Sequence, residues 1–335
     1  MRIDCSAPTR IDLAGGPFDI WPLYLFHDRA QTINAALSLR ASCTLESRED
    51  GRVVLVSEDT NERVEALSAE ALGVDRLPLL ARLVRVFDQA GAASGLTLTT
   101  RSDSPVGAGI AGSSAMNIAI TKALSEWTGL WTSDAEVLLT AMNVEAQVIN
   151  VPTGAQDYRP ALYGGVSAVE LDATGVRRVK LDVSGEALSA RVVVAYTGAS
   201  RNSGINNWDV MKRRIDGDPA VIAAFDGIRD AAAGMRAALS SHDWEEAGRH
   251  LDAEWRHRVA LAPGVTTPTI TALLAAARTA GAIGGKVCGA GGGGCLFCLV
   301  PPDSKAAVAE ALTLGGARVL DCAIDEEGVR VTRTA

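Results

Sequence analysis

The chain has 335 residues, 47% hydrophobic and 21% charged, an ordinary globular balance at a length that suggests about two domains. A net charge of −8 and a sequence pI near 5.2 argue against nucleic acid or an anionic membrane as partner, and no apolar run approaches the ~20 residues of a membrane span. The opening MRIDCSAPTRID has no apolar signal core, and six irregularly spaced cysteines read as reduced thiols, so a cytoplasmic location is expected.

In chain order, residues 2–14 alternate and then run apolar, which predicts a hairpin of two strands around Pro8, broken by Gly15, Gly16 and Pro17. Residues 18–22 read as a loop, and residues 32–47 and 52–58 as further strands. Apolar spacing predicts a helix over 76–90, then a strand over 96–100 that feeds a glycine-rich stretch. Helices are expected over 114–127 and over 134–149, the second capped by Ser133. A loop over 150–160 leads to strands near 165–171 and 176–181.

Composition shifts after Gly185, which divides the chain into expected domains of 1–185 and 186–335. The second opens on a buried-type strand (191–197) and a polar loop (200–207), followed by helices over 219–240, 244–260 and 269–280. A strand (283–288), a second glycine loop (289–294), a strand (295–300), a helix (305–314) and strands over 318–324 and 329–332 complete it. That order suggests an α+β domain of the split-βαβ kind.

The first glycine-rich stretch, SPVGAGIAGSSAMNIAI over 104–120, organises the rest. Glycines leave backbone N–H groups uncovered, and a following helix adds orphan donors and the positive end of its dipole, which together suit a phosphate. Gly107, Gly109 and Gly112 spell GxGxxG, a weak dinucleotide signal alone, and residues 102–106 separate it from the preceding strand. A P-loop needs a lysine before Ser113 or Ser114, and there is none. The third reading is Pro-x-x-x-Gly-x-x-x-Ser-Ser-Ala, met by Pro105, Gly109, Ser113, Ser114 and Ala115. The bland alternative is a serine-capped turn. The candidate nucleotide cradle is thus Pro105, Gly107, Ala108, Gly109, Ala111, Gly112, Ser113 and Ser114.

Phosphoryl transfer also needs Mg²⁺ held and an acceptor hydroxyl positioned. Ser114 and Glu145 are candidate metal ligands, since Mg²⁺ prefers hard oxygen, and Asp157 can face the hydroxyl.

The Pro105–Ala115 loop resembles the nucleotide loop of the GHMP kinases, a family of small-molecule kinases. Two further stretches extend the resemblance over nearly the whole chain: 8–19 (PTRIDLAGGPFD), similar to the family's first motif, and 285–295 (GKVCGAGGGGC), similar to its third. The implied fold is the two-domain α+β GHMP kinase fold: an N-terminal mixed α/β domain, ribosomal protein S5 domain 2-like, and a C-terminal ferredoxin-like split βαβ domain. Residues 14–16, 154–157 with 163–165, and 196–201 look most like the branch that phosphorylates the anomeric hydroxyl of heptose 7-phosphate, with relatives acting on fucose.

The resemblance implies ATP and Mg²⁺ as cofactors, Asp157 as base or orienter, Arg10 as the cation beside it, and Ser114 with Glu145 on the metal. It implies an acceptor site at Asp19, Gly16, Gly154 and Tyr163, with Ser200 and Arg201 as candidates for a distal phosphate. A small-molecule acceptor is the expected partner, and a homodimer is compatible with the family. Pro17-Phe18 stands where the branch has Gly-Thr, Tyr158-Arg159-Pro160 follows Gln156-Asp157, and Ile110-Ala111 replaces Leu-Gly. The first two departures fall where the acceptor would lie, with Trp21, Tyr24, Asn202, Asn206, Asn207 and Trp208 as candidate pocket walls. Within the family a non-sugar alcohol is the alternative acceptor; outside it, a ligand-binding homologue without catalysis.

Blander readings compete. Asp19 and Asp157 suit turns, Glu145 a solvated helix face, and Arg10 a salt bridge to Asp12 or Asp19. Cys295 and Cys298 form Cys-x-x-Cys, but no second pair stands at zinc spacing and positions three apart on a strand face opposite ways. His250 and His257, seven apart, can share a helix face and read as helix-surface or packing residues.

Overall fold

The computed structural model describes residues 1–200 and 207–334. In its first half, β1 (Arg2–Ala14), β2 (Ala30–Ser47), β3 (Val53–Ser57) and β4 (Glu62–Ala66) precede α1 (Pro78–Phe87) and β5 (Leu96–Ser102). Then come α2 (Gly112–Thr128), α3 (Asp134–Ile149), α4 (Tyr158–Tyr163), β6 (Val166–Asp172), β7 (Gly175–Lys180) and α5 (Gly185–Ser189). The second half holds β8 (Val192–Tyr196), α6 (Asn207–Ile215), α7 (Pro219–Ser240), α8 (Trp244–Leu261) and α9 (Pro268–Thr279). It closes with β9 (Gly284–Val287), β10 (Cys295–Leu299), α10 (Lys305–Leu314), β11 (Arg318–Leu320) and β12 (Arg330–Thr334).

Two sheets result. The larger runs β12-β1-β2-β5-β3-β4, and the length of β2 lets it fork: 41–47 pair with β5 while 30–35 pair with β6, which carries β7. The smaller runs β11-β8-β10-β9, all antiparallel. With the helices between, it reads β-α-β-β-α-β, the split-βαβ arrangement expected, so the α+β class holds. Residue 185 separates the strands of the two sheets except for β12, which returns from the second half to pair with β1.

Residues 2–14 form one long strand, not the expected hairpin. Pro8 is accommodated by a register shift between Pro8 and Thr9, a place in a sheet where a missing N–H does little harm. The bulge also redirects the strand. Ile3, Cys5 and Ala7 join the core under α1, α2 and α3, whereas Ile11 and Leu13 join the core shared with α7 and α8. Arg10 and Asp12 alternate with Ile11 and Leu13 and share the opposite face.

The smaller sheet also has two covered faces. Cys295, Phe297 and Leu299 pack toward α7 and α8, while Leu296 and Cys298 pack toward α9 and α10. Burial pushes the Cys298 thiol up to about 12 and raises Cys295, so both behave as inert core thiols. α7 and α8 approach closely because the His257 ring lies over Gly227 and the His250 ring over Gly234, one face as the spacing predicts.

Candidate active site

A cleft of about 490 Å³ takes its lining from both halves of the chain. Between β5 and α2 the backbone turns through Gly107, Gly109 and Ala111, all at positive φ. α2 begins without a side-chain cap and without an acidic residue in its first turn. Its leading N–H groups are left without helical partners, and the dipole favours an anion there. All eight candidate cradle residues, Pro105, Gly107, Ala108, Gly109, Ala111, Gly112, Ser113 and Ser114, line the cleft. The second glycine loop braces this one: Cys295 N–H donates to the Ala108 carbonyl at 2.6 Å.

Arg10 joins cradle to chemistry. Its Nη1 donates to the Gly109 carbonyl at 3.0 Å, while Nε and Nη2 both donate to Asp157 Oδ1, at 2.8 and 2.6 Å. Burial alone would lower the Arg10 pKa, but the charges of Asp157 and Asp12 overcome it and hold it raised. Asp157 lines the cleft with a side chain 25% exposed, against 2% for Arg10. The carboxylate is therefore oriented from behind and open in front.

Glu145, on α3, is buried beside Tyr158, Ser113 and Ser114, and its Oε2 has no hydrogen-bond partner. Burial raises its pKa, with Asp157 adding to the rise. An unpartnered carboxylate oxygen near a serine hydroxyl suits a hard cation. Among the described residues there is no group of three or more His, Cys, Asp or Glu that could hold a metal ion.

Asp19 is buried at the cleft wall. Its Oδ2 accepts from Gln156 N–H at 3.0 Å, its Oδ1 from Gln156 Nε2 at 3.3 Å, and its carbonyl from Ala155 N–H. Gln156 Nε2 also donates to the Gly16 carbonyl at 3.0 Å. A Cβ on Gly154 would lie 1.8 Å from Asp19 Oδ2, so only glycine lets the two segments meet. Burial first, then the charge of Asp157, push the Asp19 pKa up to about 7, against the Gln156 hydrogen bond.

Beneath this wall lies a buried ring of charge. Asp12 Oδ2 meets Arg258 Nη2 at 2.8 Å and Lys286 Nζ at 3.2 Å; Glu254 meets the same two cations at 2.8 and 2.9 Å. Burial would raise the Asp12 pKa, but Lys286, Arg258 and Arg10 lower it. Two carboxylates face two cations, so the ring is neutral as a whole.

The structure brings Arg10, Gly16, Asp19, Glu145, Gly154 and Asp157 to one cleft with the cradle. Tyr163 stands apart: it packs on the core under α1–α3, with Arg178 over its ring, and does not line the cleft. Ser200 lies against Gly107 rather than in the cleft lining. Arg201, Asn202 and Asn206 fall outside the described residues. Of the proposed pocket walls, Asn207 lines the cleft, Trp21 and Trp208 are exposed, and Tyr24 packs on a core.

Sequence reasoning passed over Gln156, Glu254, Arg258 and Lys286 as functional residues. The available signals were a lysine inside an apolar strand, and Glu254 and Arg258 one helical turn apart on α8.

Known families match two stretches of the chain. The GHMP kinases N terminal domain matches residues 78–165 and the GHMP kinases C terminal domain matches residues 235–317. The chain is 31% identical to a D-glycero-alpha-D-manno-heptose 7-phosphate kinase of Campylobacter jejuni, over 99% of each chain. It is 27% identical to a mevalonate kinase of Thermococcus onnurineus, over 99% of this chain and 98% of that one. The crystal structure of a D-glycero-D-manno-heptose 1-phosphate kinase from Bacteroides thetaiotaomicron superposes with a TM-score of 0.79 at 25% identity, covering 99% of each chain.

Proposed function

The chain belongs to the GHMP kinases, and we propose that it transfers the γ-phosphate of ATP to a hydroxyl of a sugar or sugar phosphate, a heptose 7-phosphate being the leading acceptor. The observation that carries the site assignment is the Arg10–Asp157 pair, which ties the phosphate cradle to an accessible carboxylate. The heptose kinase likeness over the full chain supports the acceptor class.

In this reading the uncapped start of α2 and the 107–112 backbone hold the phosphates. Ser114 and Glu145 would hold Mg²⁺, whose chemistry is to neutralise charge between phosphates. Asp157 accepts a hydrogen bond from the attacking hydroxyl and holds it in line. A loose transition state asks little of a base early on, so positioning is the larger part of its contribution. Arg10 fixes that carboxylate and offers positive charge beside the transferring group. Asp19 accepts from a second sugar hydroxyl.

The test is an ADP-release assay with ATP and Mg²⁺ over hexoses, heptose 7-phosphate, fucose, uronic acids, inositols and mevalonate. A sugar or sugar-phosphate signal that vanishes in Asp157→Ala supports the reading. Undiminished turnover by that variant, or a response to mevalonate alone, overturns it.

A further inference from the structure

We propose that Arg258 is an acceptor-binding residue that donates one N–H to an uncharged oxygen of the sugar, resting on the sugar-kinase reading above. Arg258 lines the cleft beside Gly16 and Gly289. A Cβ on Gly16 would lie 2.2 Å from its Nη2 and 2.1 Å from Asp12 Oδ2, so only glycine fits against the guanidinium on that side.

A guanidinium has five N–H donors. Four are spoken for: Nε to Glu254, Nη2 to Asp12 and Glu254, and Nη1 to the Gly289 carbonyl at 3.0 Å. Among the described residues, one hydrogen of Nη1 has no partner. The fork is pinned on three sides, so its direction is set before any ligand arrives.

Charge decides what that donor recognises. Asp12 and Glu254 balance Arg258 and Lys286 within the ring, so Arg258 offers a directed hydrogen bond with little unbalanced field behind it. A phosphate, which needs uncompensated positive charge, is poorly served there. A sugar hydroxyl or ring oxygen is well served.

The experiment compares wild type and Arg258→Lys with ATP, heptose 7-phosphate and its monodeoxy analogues. Lysine keeps the buried charge but loses the fixed fork. The sugar KM should rise on the order of tenfold, the loss expected for one charge-assisted hydrogen bond, while the ATP KM stays within about twofold. On one analogue, lacking the contacted oxygen, the two enzymes should converge.

An equal penalty on every analogue, or an unchanged sugar KM, overturns the proposal and leaves the kinase reading standing. A wild type inactive on every sugar and sugar phosphate of the panel overturns both. Should Arg258→Lys not fold, the double variant Arg258→Gln/Glu254→Gln leaves Asp12 and Lys286 as a neutral pair and supports the same comparison.

Discussion

Two residues apart on one strand, Arg10 and Asp12 head two charged centres of opposite character. Arg10 meets a single carboxylate that opens on the cleft; Asp12 sits in a closed ring of four groups, each side chain at most 6% exposed. Buried charge is tolerated when it is answered, and among the described residues the ring leaves over little more than Asp12 Oδ1 and one Arg258 N–H. An open pair is less complete, and that incompleteness is what a substrate can use. The strand supplies both because alternation puts positions 10 and 12 on one face, and the bulge at Pro8 aims that face at the junction of the two halves.

The largest expected effect comes from the open pair. Asp157→Asn should lower kcat by about 10²–10⁴-fold with a nearly unchanged ATP KM, measured in the ADP-release assay. A modest fall in the urea midpoint should accompany it, since Asn keeps an oxygen acceptor for Arg10 and Asp12 still offsets part of its charge; a collapse of stability instead would make this pair as structural as the ring.

The ring should fail the other way. Lys286→Met leaves two buried carboxylates facing one cation, and should cost about 3–5 kcal/mol of stability by urea denaturation. Specific activity per folded molecule should change far less than in Asp157→Asn. A Lys286→Met protein of wild-type stability would erase the contrast.

Asp19 stands between the two centres, buried like the ring and lining the cleft like the pair. Its folded pKa of about 7 lies above the ~3.9 of an unfolded aspartate, so the folded state holds the proton more tightly. Its contribution to stability is fully present below about pH 4 and declines as pH rises toward about 7. Urea midpoints measured at several pH values across that window should show the decline in wild type and a flatter profile in Asp19→Asn. Identical profiles would place Asp19 among groups with no proton linkage to folding.

The smallest effect concerns the cradle. Ala111 holds φ 61, a left-handed conformation that costs a residue with a Cβ about 1–2 kcal/mol. Ala111→Gly should gain about 0.5–1 kcal/mol after the extra freedom of the unfolded chain is counted. A loss of stability would mean the Ala111 methyl packs well enough to outweigh the strain.

Legibility in the sequence followed how local each cause is. Ser133 caps α3 through a reciprocal capping box with Glu136, a signal contained in four neighbouring residues, and the predicted helix has the observed bounds. The glycine loops were likewise readable, because close backbone approach demands glycine at particular places. Pro8 misled, since a proline reads as a break and only pairing with β2 shows that a bulge absorbs it. The strand β4 and the helices α5 and α6 are short, with five, five and nine residues, so each offers few positions from which to read a pattern. The ring escaped notice because Asp12, Glu254, Arg258 and Lys286 come together only when β1, α8 and β9 meet. Tyr163 was assigned to the acceptor by its neighbours in sequence, yet α4 turns it toward the core.

The return of β12 to β1 has a consequence for how the molecule is made. Arg2 pairs with Thr334 and Ser6 with Arg330, so one flank of β1 is covered only by residues synthesised more than 320 positions later. At ~5–20 residues per second, that flank stays bare on the order of half a minute. A long naked edge is a template for mispairing with any other nascent chain. Arg2 and Asp4 place charge along it, joined at 2.9 Å, a guard suited to the interval.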